Sequence, residues 1–268
     1  MSGYVPVYKR KKLPQLAWNL DILRENTYIH SCDYSETNDI KKRNYSVKML
    51  RYWLMYHLLL EESRLINRKL KVCEVGIDKG QMQIFVNTTV KIDLSANGVN
   101  PYSEWFGVDA KIRHEALAGL NYTGFCETDI EKDLTWFNNT YDVLILLHVL
   151  EHLWKPELFF NKLSEKMKPG SVIIGGFPSI PDFIIPAYER KRRFEPGPFS
   201  HVSGFSYRRL TKMAASAGLS LDFSAASFFS RSDGSKFEDY KFWARLNMLA
   251  GGIFKCMPSE LYFLARKS

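Results

Sequence analysis

Residues 71–80 read Lys-Val-Cys-Glu-Val-Gly-Ile-Asp-Lys-Gly, and they constrain the fold more than any other stretch of the chain. A short apolar run reaches an acid, Glu74, and then turns through Gly76 and Gly80. In an open α/β sheet, ligands bind in the crevice beyond the carboxyl ends of the strands, and a glycine in the turn lets the backbone approach the ligand closely. The segment therefore predicts a strand that leads into a ligand-binding turn.

The rest of the chain alternates short apolar runs with helical stretches. The clearest helices are predicted over 45–69, 156–167 and 207–217, and the strands over 71–75, 105–109, 123–128, 141–147, 171–175, 219–225 and 260–265. Such alternation is typical of a mostly parallel sheet that is covered by helices on both faces. A chain of 268 residues with 46% hydrophobic content can bury one large core. We therefore expect a single α/β domain.

The predicted domain has an arm before it and two insertions within it. Residues 1–44 mix proline, lysine, asparagine and serine, which predicts a basic, irregular arm, and the domain then covers 45–268 with the helix over 45–69 packing on it. The insertions lie near 177–206 and 226–258, where we expect them to shape substrate specificity.

The net charge of +8 is concentrated near the amino terminus. Residues 1–71 hold 14 Lys and Arg against 7 Asp and Glu, so the remainder of the chain holds 23 against 22. A basic flank can associate with an anionic membrane surface or with phosphates, although it is more often simply a solvated face. The near-neutral remainder makes nucleic acid a less favoured partner.

Neither a membrane span nor a disulfide framework is expected. No apolar run approaches the roughly 18 to 20 residues that cross a bilayer, and the first residues are polar and basic, so we expect a cytoplasmic protein. The four cysteines are widely spaced and form no C-x-x-C pair, which predicts reduced, buried thiols and no zinc knuckle. We predict no metal ligands.

Three further polar residues fall at the ends of predicted strands. Asp109 closes the run Phe-Gly-Val-Asp, Asp129 follows the next strand, and His148 follows the apolar run over 141–147. In nucleoside-binding folds, an acid at such a strand end accepts hydrogen bonds from ribose hydroxyls. Acids at successive strand ends therefore indicate one nucleoside site.

The same residues resemble a known enzyme family. The decapeptide at 71–80 is similar to the first motif of class I methyltransferases that use S-adenosylmethionine, in which an acid and any residue precede Gly-x-Gly-x-Gly, although Asp78 replaces the middle glycine. The segment 141–153, together with Lys-Pro-Gly at 168–170, resembles the fourth and fifth motifs, especially in enzymes that act on small molecules and glycans. The resemblance is good over 72–177 and looser toward residue 265. It implies a Rossmann-like, mostly parallel seven-stranded sheet and S-adenosylmethionine as cofactor.

The resemblance also implies a role for each motif residue. Asp109 would bind the ribose, Asp129 and Ile130 the adenine, and His148 would lie near the sulfonium. The methionine portion would be held by the residues of the first turn, which are Glu74, Gly76, Asp78 and Gly80.

Two details of this assignment stay open in the sequence. Asp78 either has a negative φ or adopts the left-handed conformation, which Asp tolerates better than most residues. Asp93 is the alternative ribose partner, because the 35 positions between Glu74 and Asp109 exceed the roughly 20 expected by analogy with dinucleotide folds. The excess predicts an insertion near 90–104.

The resemblance favours O-methylation of a small molecule or of a cell-surface glycan, which can be lipid-linked. A hydroxyl acceptor benefits from a general base, and the candidates are His201, His152 and Glu151. No Asn/Asp-Pro-Pro-Tyr/Phe motif follows the fourth strand, which by the same resemblance argues against a nitrogen acceptor.

Four alternatives remain at this stage. The pentad at 148–152 matches the H-x-x-E-H signature of inverted zinc peptidases, in which His148 and His152 would bind the metal beside Glu151. That geometry requires a helix, whereas the preceding run is of β type. A dehydrogenase lacks its G-x-G-x-x-G. A methyltransferase acting on nucleic acid or protein, and an inactive methyltransferase-like binding module, are the other two.

Overall fold

The structure is a computed structural model that describes residues 3–25, 43–194, 196–197, 200–227, 236–256 and 260–268. Seven strands form one sheet in the order β3-β2-β1-β4-β5-β7-β6. The first five strands pair in parallel, and β7 runs antiparallel to both of its neighbours. The strands are β1 (Leu70–Val75), β2 (Tyr102–Asp109), β3 (Gly124–Glu127), β4 (Val143–Leu147), β5 (Val172–Pro178), β6 (Leu219–Ser227) and β7 (Glu260–Lys267). The predicted mostly parallel seven-stranded sheet is confirmed.

Helices connect these strands and cover both faces of the sheet. The described α-helices are α1 (Ile22–Glu25), α2 (Val47–Ile66), α3 (Gln81–Ile92), α4 (His114–Leu117), α5 (Pro156–Lys166), α6 (Ile185–Phe194), α7 (Tyr207–Ser216) and α8 (Lys241–Ile253). Buried side chains of α2, α3 and α8 share one hydrophobic cluster with one face of the sheet, and those of α5 and α7 share a second cluster with the other face. Within the described ranges, none of these helices combines the length and apolar character needed to cross a bilayer.

Helix α2 is more deeply buried than a surface helix. The side chain of Ser46 accepts a hydrogen bond from the Met49 N–H at its start, and Asn67 ends it in the left-handed conformation. Residues around the whole helix are buried, and Trp53, Met55 and Tyr56 are almost fully so. A helix that is apolar all round belongs in the interior. These three aromatic and sulfur side chains are therefore core residues.

The described part of the amino-terminal arm packs on the domain. Residues 3–25 contain two short 3-10 turns and helix α1, and Tyr8, Trp18 and Leu23 are buried in the same cluster as α2. Two acids of α2 bind the arm: Glu61 accepts hydrogen bonds from the Val7 N–H and the Tyr4 hydroxyl, and Glu62 accepts one from the Tyr8 hydroxyl. The arm is irregular as expected, but in its described part it contributes to the core. The division into arm and domain stays a prediction.

The predicted insertion near 90–104 is a helix end and a turn. Helix α3 runs to Ile92, a 3-10 turn covers Leu94–Ala96, and β2 begins at Tyr102.

The cysteines differ from one another in their exposure to solvent. Cys73 is buried as predicted, Cys126 is half-buried, Cys256 is exposed, and Cys32 lies outside the described residues.

Candidate functional site

A cavity of about 620 Å³ lies beyond the carboxyl ends of the parallel strands. It is lined by residues from the segments 75–78 after β1, 109–113 after β2, 128–131 after β3 and 148–153 after β4. Strand order reverses between β1 and β4, which is where α/β sheets open a crevice for ligands. The volume falls in the range of roughly 300 to 1,000 Å³ typical of small-molecule sites.

A second cavity, of about 510 Å³, lies next to the first. It is formed between the segment 130–134 and α5 and shares Ile130 and Glu131 with the first cavity. It touches neither the β1 turn nor the end of β2. We therefore place the cofactor site in the cavity of 620 Å³.

The turn after β1 is wound through left-handed backbone conformations. Gly76, Asp78 and Gly80 have φ values of 77°, 44° and 73°. A Cβ on Gly76 would lie 2.7 Å from Cγ2 of Val149, and one on Gly80 would lie 2.4 Å from Cδ1 of Leu120. Both glycines therefore suit the left-handed backbone, and the lack of a side chain at each lets Val149 and Leu120 pack close to the turn. Asp78 takes the left-handed alternative that the sequence left open.

Glu74 does not reach the cavity, contrary to the role implied for it. Its side chain is buried and accepts hydrogen bonds from Nε1 of Trp105 at 2.9 Å and from the Tyr122 hydroxyl at 3.0 Å. Burial raises the pKa of Glu74 to about 8, against the lowering effect of these two donors. Because side chains alternate along a strand, Glu74 faces the α2 and α3 side, and Val75 lines the cavity.

Asp109 lies at the end of β2 and lines the cavity, as predicted. One of its carboxylate oxygens accepts a hydrogen bond from the Asp78 N–H at 3.0 Å, and the other accepts one from the Lys111 N–H at 3.1 Å. The carboxylate is thus fixed by the two neighbouring turns, and each oxygen keeps a further lone pair. This arrangement suits a vicinal diol such as a ribose.

Asp93, the alternative ribose partner, lies elsewhere. It is buried at the end of α3, where it accepts hydrogen bonds from the Tyr56 hydroxyl at 2.7 Å and from the Ser95 N–H at 2.9 Å. Helix α3 runs back from the β1 turn, so its end is at the amino edge of the sheet. The alternative assignment is therefore wrong. The spacing argument expected a strand to end near residue 93, whereas helix α3 and a 3-10 turn occupy this part of the chain.

Asp129 and Ile130 both line the cavity beyond β3. The Asp129 carboxylate accepts a hydrogen bond from the Glu131 N–H at 3.1 Å and lies 2.8 Å from Nζ of Lys132, and the hydrogen bond with Lys132 lowers the pKa of this acid. Ile130 is largely buried against Val149 and the β-sheet core. An apolar floor beside a fixed acid can hold a planar heterocycle that carries an exocyclic amine.

His148 occupies the bend at the end of β4. It has a φ of 57°, and its N–H donates to the Gly176 carbonyl at 2.8 Å. Its ring lines the cavity and lies between two buried acids, with Nδ1 2.8 Å from Oε1 of Glu151 and Nε2 3.7 Å from Oε2 of Glu260. His148 therefore lies at the cavity, and its position near the sulfonium stays a prediction.

The three candidate bases come together at the same edge. Ligand-type atoms of Glu151, His152 and His201 all lie within 4.8 Å of one another, and the rings of the two histidines are 4.8 Å apart. The Ser203 N–H donates to the Glu151 carbonyl at 3.0 Å and its hydroxyl to the Leu153 carbonyl at 2.6 Å, which ties the segment around His201 to the turn after β4.

The two histidines of this cluster differ in the surroundings of their rings. Burial lowers the pKa of His201, and Glu151 opposes the shift. Nδ1 of His152 lies 3.2 Å from the Ser200 carbonyl, which can only accept, so Nδ1 carries the proton and Nε2 is left with a lone pair. Both rings can therefore accept a proton or bind a cation.

The H-x-x-E-H pentad does not form the helix that a zinc peptidase needs. His148 is left-handed, and residues Leu150–His152 form a single 3-10 turn. The two histidines of the pentad consequently do not share a helix face. The structure brings His152 and Glu151 to His201 instead.

Several site residues were not found from the sequence. Lys111 and Arg113 line the cavity, and Arg113 lies 3.2 Å from Asp78. Glu260 is fully buried at the start of β7 and lies 2.6 Å from a guanidinium nitrogen of Arg51. An acid at the first position of a strand gives no local signal of burial, since its partner is 209 positions away.

Comparison with protein families gives one match. The sequence matches the family model for a methyltransferase domain over residues 45–222, which is more than half of the chain. A search of curated protein sequences finds no match.

Solved structures with a similar fold include three methyltransferases. The plantazolicin methyltransferase BamL, in complex with a triazolic desmethylPZN analog and SAH, is 12% identical with a TM-score of 0.51, and the match covers 95% of this chain and 97% of that chain. Magnesium protoporphyrin IX methyltransferase from Synechocystis PCC 6803, with bound SAH, is 12% identical with a TM-score of 0.44, and covers 92% and 100%. An S-adenosylmethionine-dependent methyltransferase from Clostridium acetobutylicum is 11% identical with a TM-score of 0.48, and covers 81% and 91%. At 12% identity, the likeness to BamL concerns the fold alone.

Proposed function

We propose that this chain, which belongs to the methyltransferase-domain family, methylates a hydroxyl oxygen of a small molecule or of a glycan. Membership of this family identifies the protein as a methyltransferase that uses S-adenosylmethionine. The chemical class of the acceptor and the atom that is methylated are what we propose here. The observation that carries it is the cluster of Glu151, His152 and His201 beside the cofactor cavity.

The residues of the cavity fit S-adenosylmethionine. Gly76 of the left-handed turn lines the cavity without a side chain, Asp109 keeps two lone pairs for the ribose, and Ile130 gives an apolar surface for the adenine. When bound, this cofactor supplies an electrophilic methyl group on a sulfonium. The chain itself orients the donor and the acceptor and excludes water from between them.

The histidine cluster gives the acceptor side of the site its chemistry. An uncharged hydroxyl is a weak nucleophile, and a neutral imidazole can take its proton at neutral pH. His201 is kept neutral by burial, and His152 has its Nε2 lone pair available because Nδ1 donates to the Ser200 carbonyl. The turn after β4 reads His-Val-Leu, without the Asn/Asp-Pro-Pro-Tyr/Phe motif of nitrogen-methylating relatives. These features support an oxygen acceptor.

The test is transfer of a labelled methyl group. The full-length protein is incubated with labelled S-adenosylmethionine and either defined acceptors (phenols, vicinal diols, primary amines) or host extract fractions, and the labelled product is identified. We expect an O-methyl ether. A product labelled only on nitrogen, nucleic acid or protein would contradict the proposal, and binding of the donor without any transfer would identify a binding module.

A substitution separates the role of His201 from donor binding. His201→Ala is expected to lower kcat by about 10²- to 10⁴-fold, the usual contribution of a general base, while the Kd for S-adenosylhomocysteine is unchanged. His114→Ala is a matched control, because His114 is an exposed histidine on α4. An undiminished rate in His201→Ala would remove His201 from the proton transfer.

A further inference from the structure

We propose that Glu151, His152 and His201 bind a divalent cation of the borderline class represented by Zn²⁺, on the acceptor side of the cofactor cavity. Two imidazoles and one carboxylate form a donor set that zinc uses in catalytic sites, where a fourth position stays open for water or substrate. Magnesium and calcium prefer all-oxygen ligands, so this set disfavours them. The site itself stands on geometry, and only its role in the reaction rests on the proposed function.

Glu151 provides the first argument for a cation. It is 1% exposed, and neither of its carboxylate oxygens accepts a hydrogen bond from the described part of the chain. His148 Nδ1 lies 2.8 Å from one of these oxygens but is not aligned to donate to it. Buried carboxylates are normally paired or coordinate metals, because an uncompensated charge away from water is costly. A cation at the cluster would compensate it.

The second argument is the way in which the ligands are oriented. Metal-binding histidines usually donate their other ring N–H to a carbonyl or a carboxylate, which fixes the tautomer. His152 does this through Nδ1 and the Ser200 carbonyl. The segment that carries His201 is fixed in turn by Ser203, and by Arg193, whose guanidinium donates to the carbonyls of Val202 and Trp154 at 3.1 Å. These hydrogen bonds fix the segments that carry the ligands before the ion binds.

The spacing of the ligand atoms is compatible with metal binding after a small adjustment. All three lie within 4.8 Å of one another, whereas ligand atoms around tetrahedral zinc are about 3.4 Å apart, given bonds of about 2.1 Å. Side-chain shifts on the order of 1 Å would complete the site. His152 also lines the cofactor cavity, so the open coordination position would face the acceptor.

The chemistry of such a site follows from its charge. With the ion bound, both imidazoles are ligands, so the ion replaces them in the deprotonation step of the proposed function. A hydroxyl bound to the ion loses its proton to solvent at a lower pH than a free hydroxyl does. The resulting oxygen forms a bond to the methyl carbon, and the carbon–sulfur bond breaks with its electron pair left on sulfur, which yields S-adenosylhomocysteine. No oxidant or reductant is required. This selects acceptors that chelate through adjacent oxygen atoms, such as catechols, hydroxy acids and vicinal diols.

Titration with Co²⁺ tests the site without the use of activity, because Co²⁺ occupies such sites and gives visible absorption that reports its coordination. The full-length protein is treated with a chelator, dialysed and titrated. We expect one equivalent of Co²⁺ to bind and to be displaced by Zn²⁺, with affinity at least tenfold lower in Glu151→Gln and in His201→Ala. The affinity should be unchanged in His114→Ala and in Cys256→Ser, the latter of which controls for the exposed thiol.

Two outcomes would overturn the inference. One is the absence of saturable Co²⁺ binding to the wild-type protein. The other is unchanged binding in both Glu151→Gln and His201→Ala, after thermal melting has shown that the variants fold. Binding of S-adenosylhomocysteine, measured on the same samples, keeps this failure distinct from failure of the proposed function. If the wild type binds S-adenosylhomocysteine and methylates its acceptor at an equal rate with and without the chelator, the metal inference fails alone.

A different observation concerns helix α8, and from it we infer that this helix docks on an anionic membrane surface. Its inner side chains, such as Ala244 and Met248, are buried, whereas Phe242, Leu246 and Ile253 are 72%, 42% and 58% exposed. At about 100° per residue, these exposed positions and Leu249 form one apolar stripe along the helix. An apolar stripe of this kind suits the headgroup–acyl boundary of a bilayer.

The charge beside the stripe selects an anionic surface. The Arg245 guanidinium donates to the carbonyls of Gln15 and Leu16, and a Cβ on Gly252 would lie 2.9 Å from Leu13, so the basic arm runs along the neighbouring side of α8. The exposed Lys11 and Lys12 are adjacent to Leu13. Cations next to an interfacial apolar face add attraction to anionic lipids. The arrangement would bring a lipid-linked acceptor to the enzyme.

Sedimentation with vesicles tests this surface. We expect the full-length protein to bind vesicles of phosphatidylcholine and phosphatidylglycerol at least tenfold more strongly than phosphatidylcholine alone. The binding should fall at least tenfold in the double variant Phe242→Ser/Leu246→Ser and in Lys11→Glu/Lys12→Glu. Leu94→Ser, which changes a highly exposed apolar residue in the turn after α3, is the matched control. Equal binding in all variants would overturn the inference, and so would self-association of the wild type that the α8 variant abolishes in the absence of vesicles.

Discussion

At the amino edge of the sheet, Asp142 accepts hydrogen bonds from the guanidinium of Arg68 and the ammonium of Lys168. By contrast, the donors to Asp109 at the carboxyl edge are, within the described part of the chain, backbone N–H groups alone. Glu62 follows the first pattern, because Arg266 and the Tyr8 hydroxyl bind its two oxygens. Glu151, also at the carboxyl edge, has fewer donors still: within the described residues, its carboxylate accepts no hydrogen bond.

The difference separates acids that hold the fold from acids that are available to a ligand. A carboxylate with cations on both oxygens has little remaining capacity, and its removal is expected to lower stability. A carboxylate that is fixed by backbone N–H groups, beside a cavity, is oriented but still able to accept. The type of hydrogen-bond donor, rather than the presence of an acid at a strand end, indicates function here.

Replacement of Glu74 has the largest expected effect on the pH dependence of stability, because this acid lies near the carboxyl edge but is buried and hydrogen-bonded within the core. Its pKa is raised by burial to about 8, so the folded state holds a proton that the unfolded chain releases near pH 4.5. Its contribution to stability is therefore fully present below about pH 4.5 and is lost as the pH rises toward 8, at about 1.4 kcal/mol per pH unit. Glu74→Gln, which mimics the protonated form, should remove this slope.

Urea unfolding of both proteins at several pH values between 5 and 9 checks this prediction. The difference between them isolates Glu74 from other groups that titrate in the same range. Equal slopes in the wild type and in Glu74→Gln would contradict the assignment. Affinity for S-adenosylhomocysteine should change less than twofold in this variant, since Glu74 does not line the cavity.

Asp109→Ala gives the second largest effect and acts on binding. Loss of hydrogen bonds to a charged acceptor costs about 2 kcal/mol, so the Kd for S-adenosylhomocysteine should rise roughly 30-fold, while the melting temperature without ligand stays nearly constant. Asp93→Asn is the matched amino-edge variant, and it should lower stability by about 1 to 2 kcal/mol without changing the Kd, because Asp93 holds Tyr56. The reverse pattern would contradict the comparison between the two edges.

Asp142→Asn should cost about 1 to 2 kcal/mol of unfolding free energy at pH 7. Burial alone would raise the pKa of Asp142, but the hydrogen bonds from Arg68 and Lys168 outweigh it and lower the pKa to about 2. The stabilisation is present above about pH 4 and is lost as the pH falls toward 2. The effect is small because the Arg68 side chain is about half exposed, so solvent screens its interaction with Asp142. Chemical denaturation at pH 7 and pH 3 should show the variant and the wild type converging at the lower pH, and a difference that persists unchanged would contradict this prediction.

Asp78 gives the smallest effect. Asp78→Gly relieves the left-handed conformation but makes the unfolded chain more flexible, so we expect a net change within about 0.5 kcal/mol. Asp78→Val should lose about 1 to 2 kcal/mol, because a β-branched residue fits this conformation poorly. Thermal melting of the two variants distinguishes them, and equal stability would mean that the backbone at this position is not left-handed.

Periodicity and motif spacing predicted the fold well. All seven predicted strands are present, because each is an apolar run of strand length that is bounded by turn residues. The positions of Asp109, Asp129 and His148 were predictable for the same reason, since the end of a parallel strand determines where its last residues lie.

Side-chain direction and long-range pairing could not be predicted in this way. Glu74 and Val75 are neighbours in the same strand, and only the face of the sheet to which each belongs decides which one meets the cavity. Asp93 remained an alternative to Asp109 because the sequence does not show where α3 ends. The meeting of His201 with His152 depends on Ser203 pairing with Glu151 across 52 positions, which no local pattern records.

Titration calorimetry of the full-length protein with S-adenosylhomocysteine tests the central claim most directly, namely that the carboxyl-edge cavity binds the nucleoside through Asp109. We predict saturable binding of one molecule per chain, which is weakened in Asp109→Ala and unchanged in Asp93→Asn. The absence of any heat of binding to folded wild-type protein, or equal affinity in Asp109→Ala, would contradict the account.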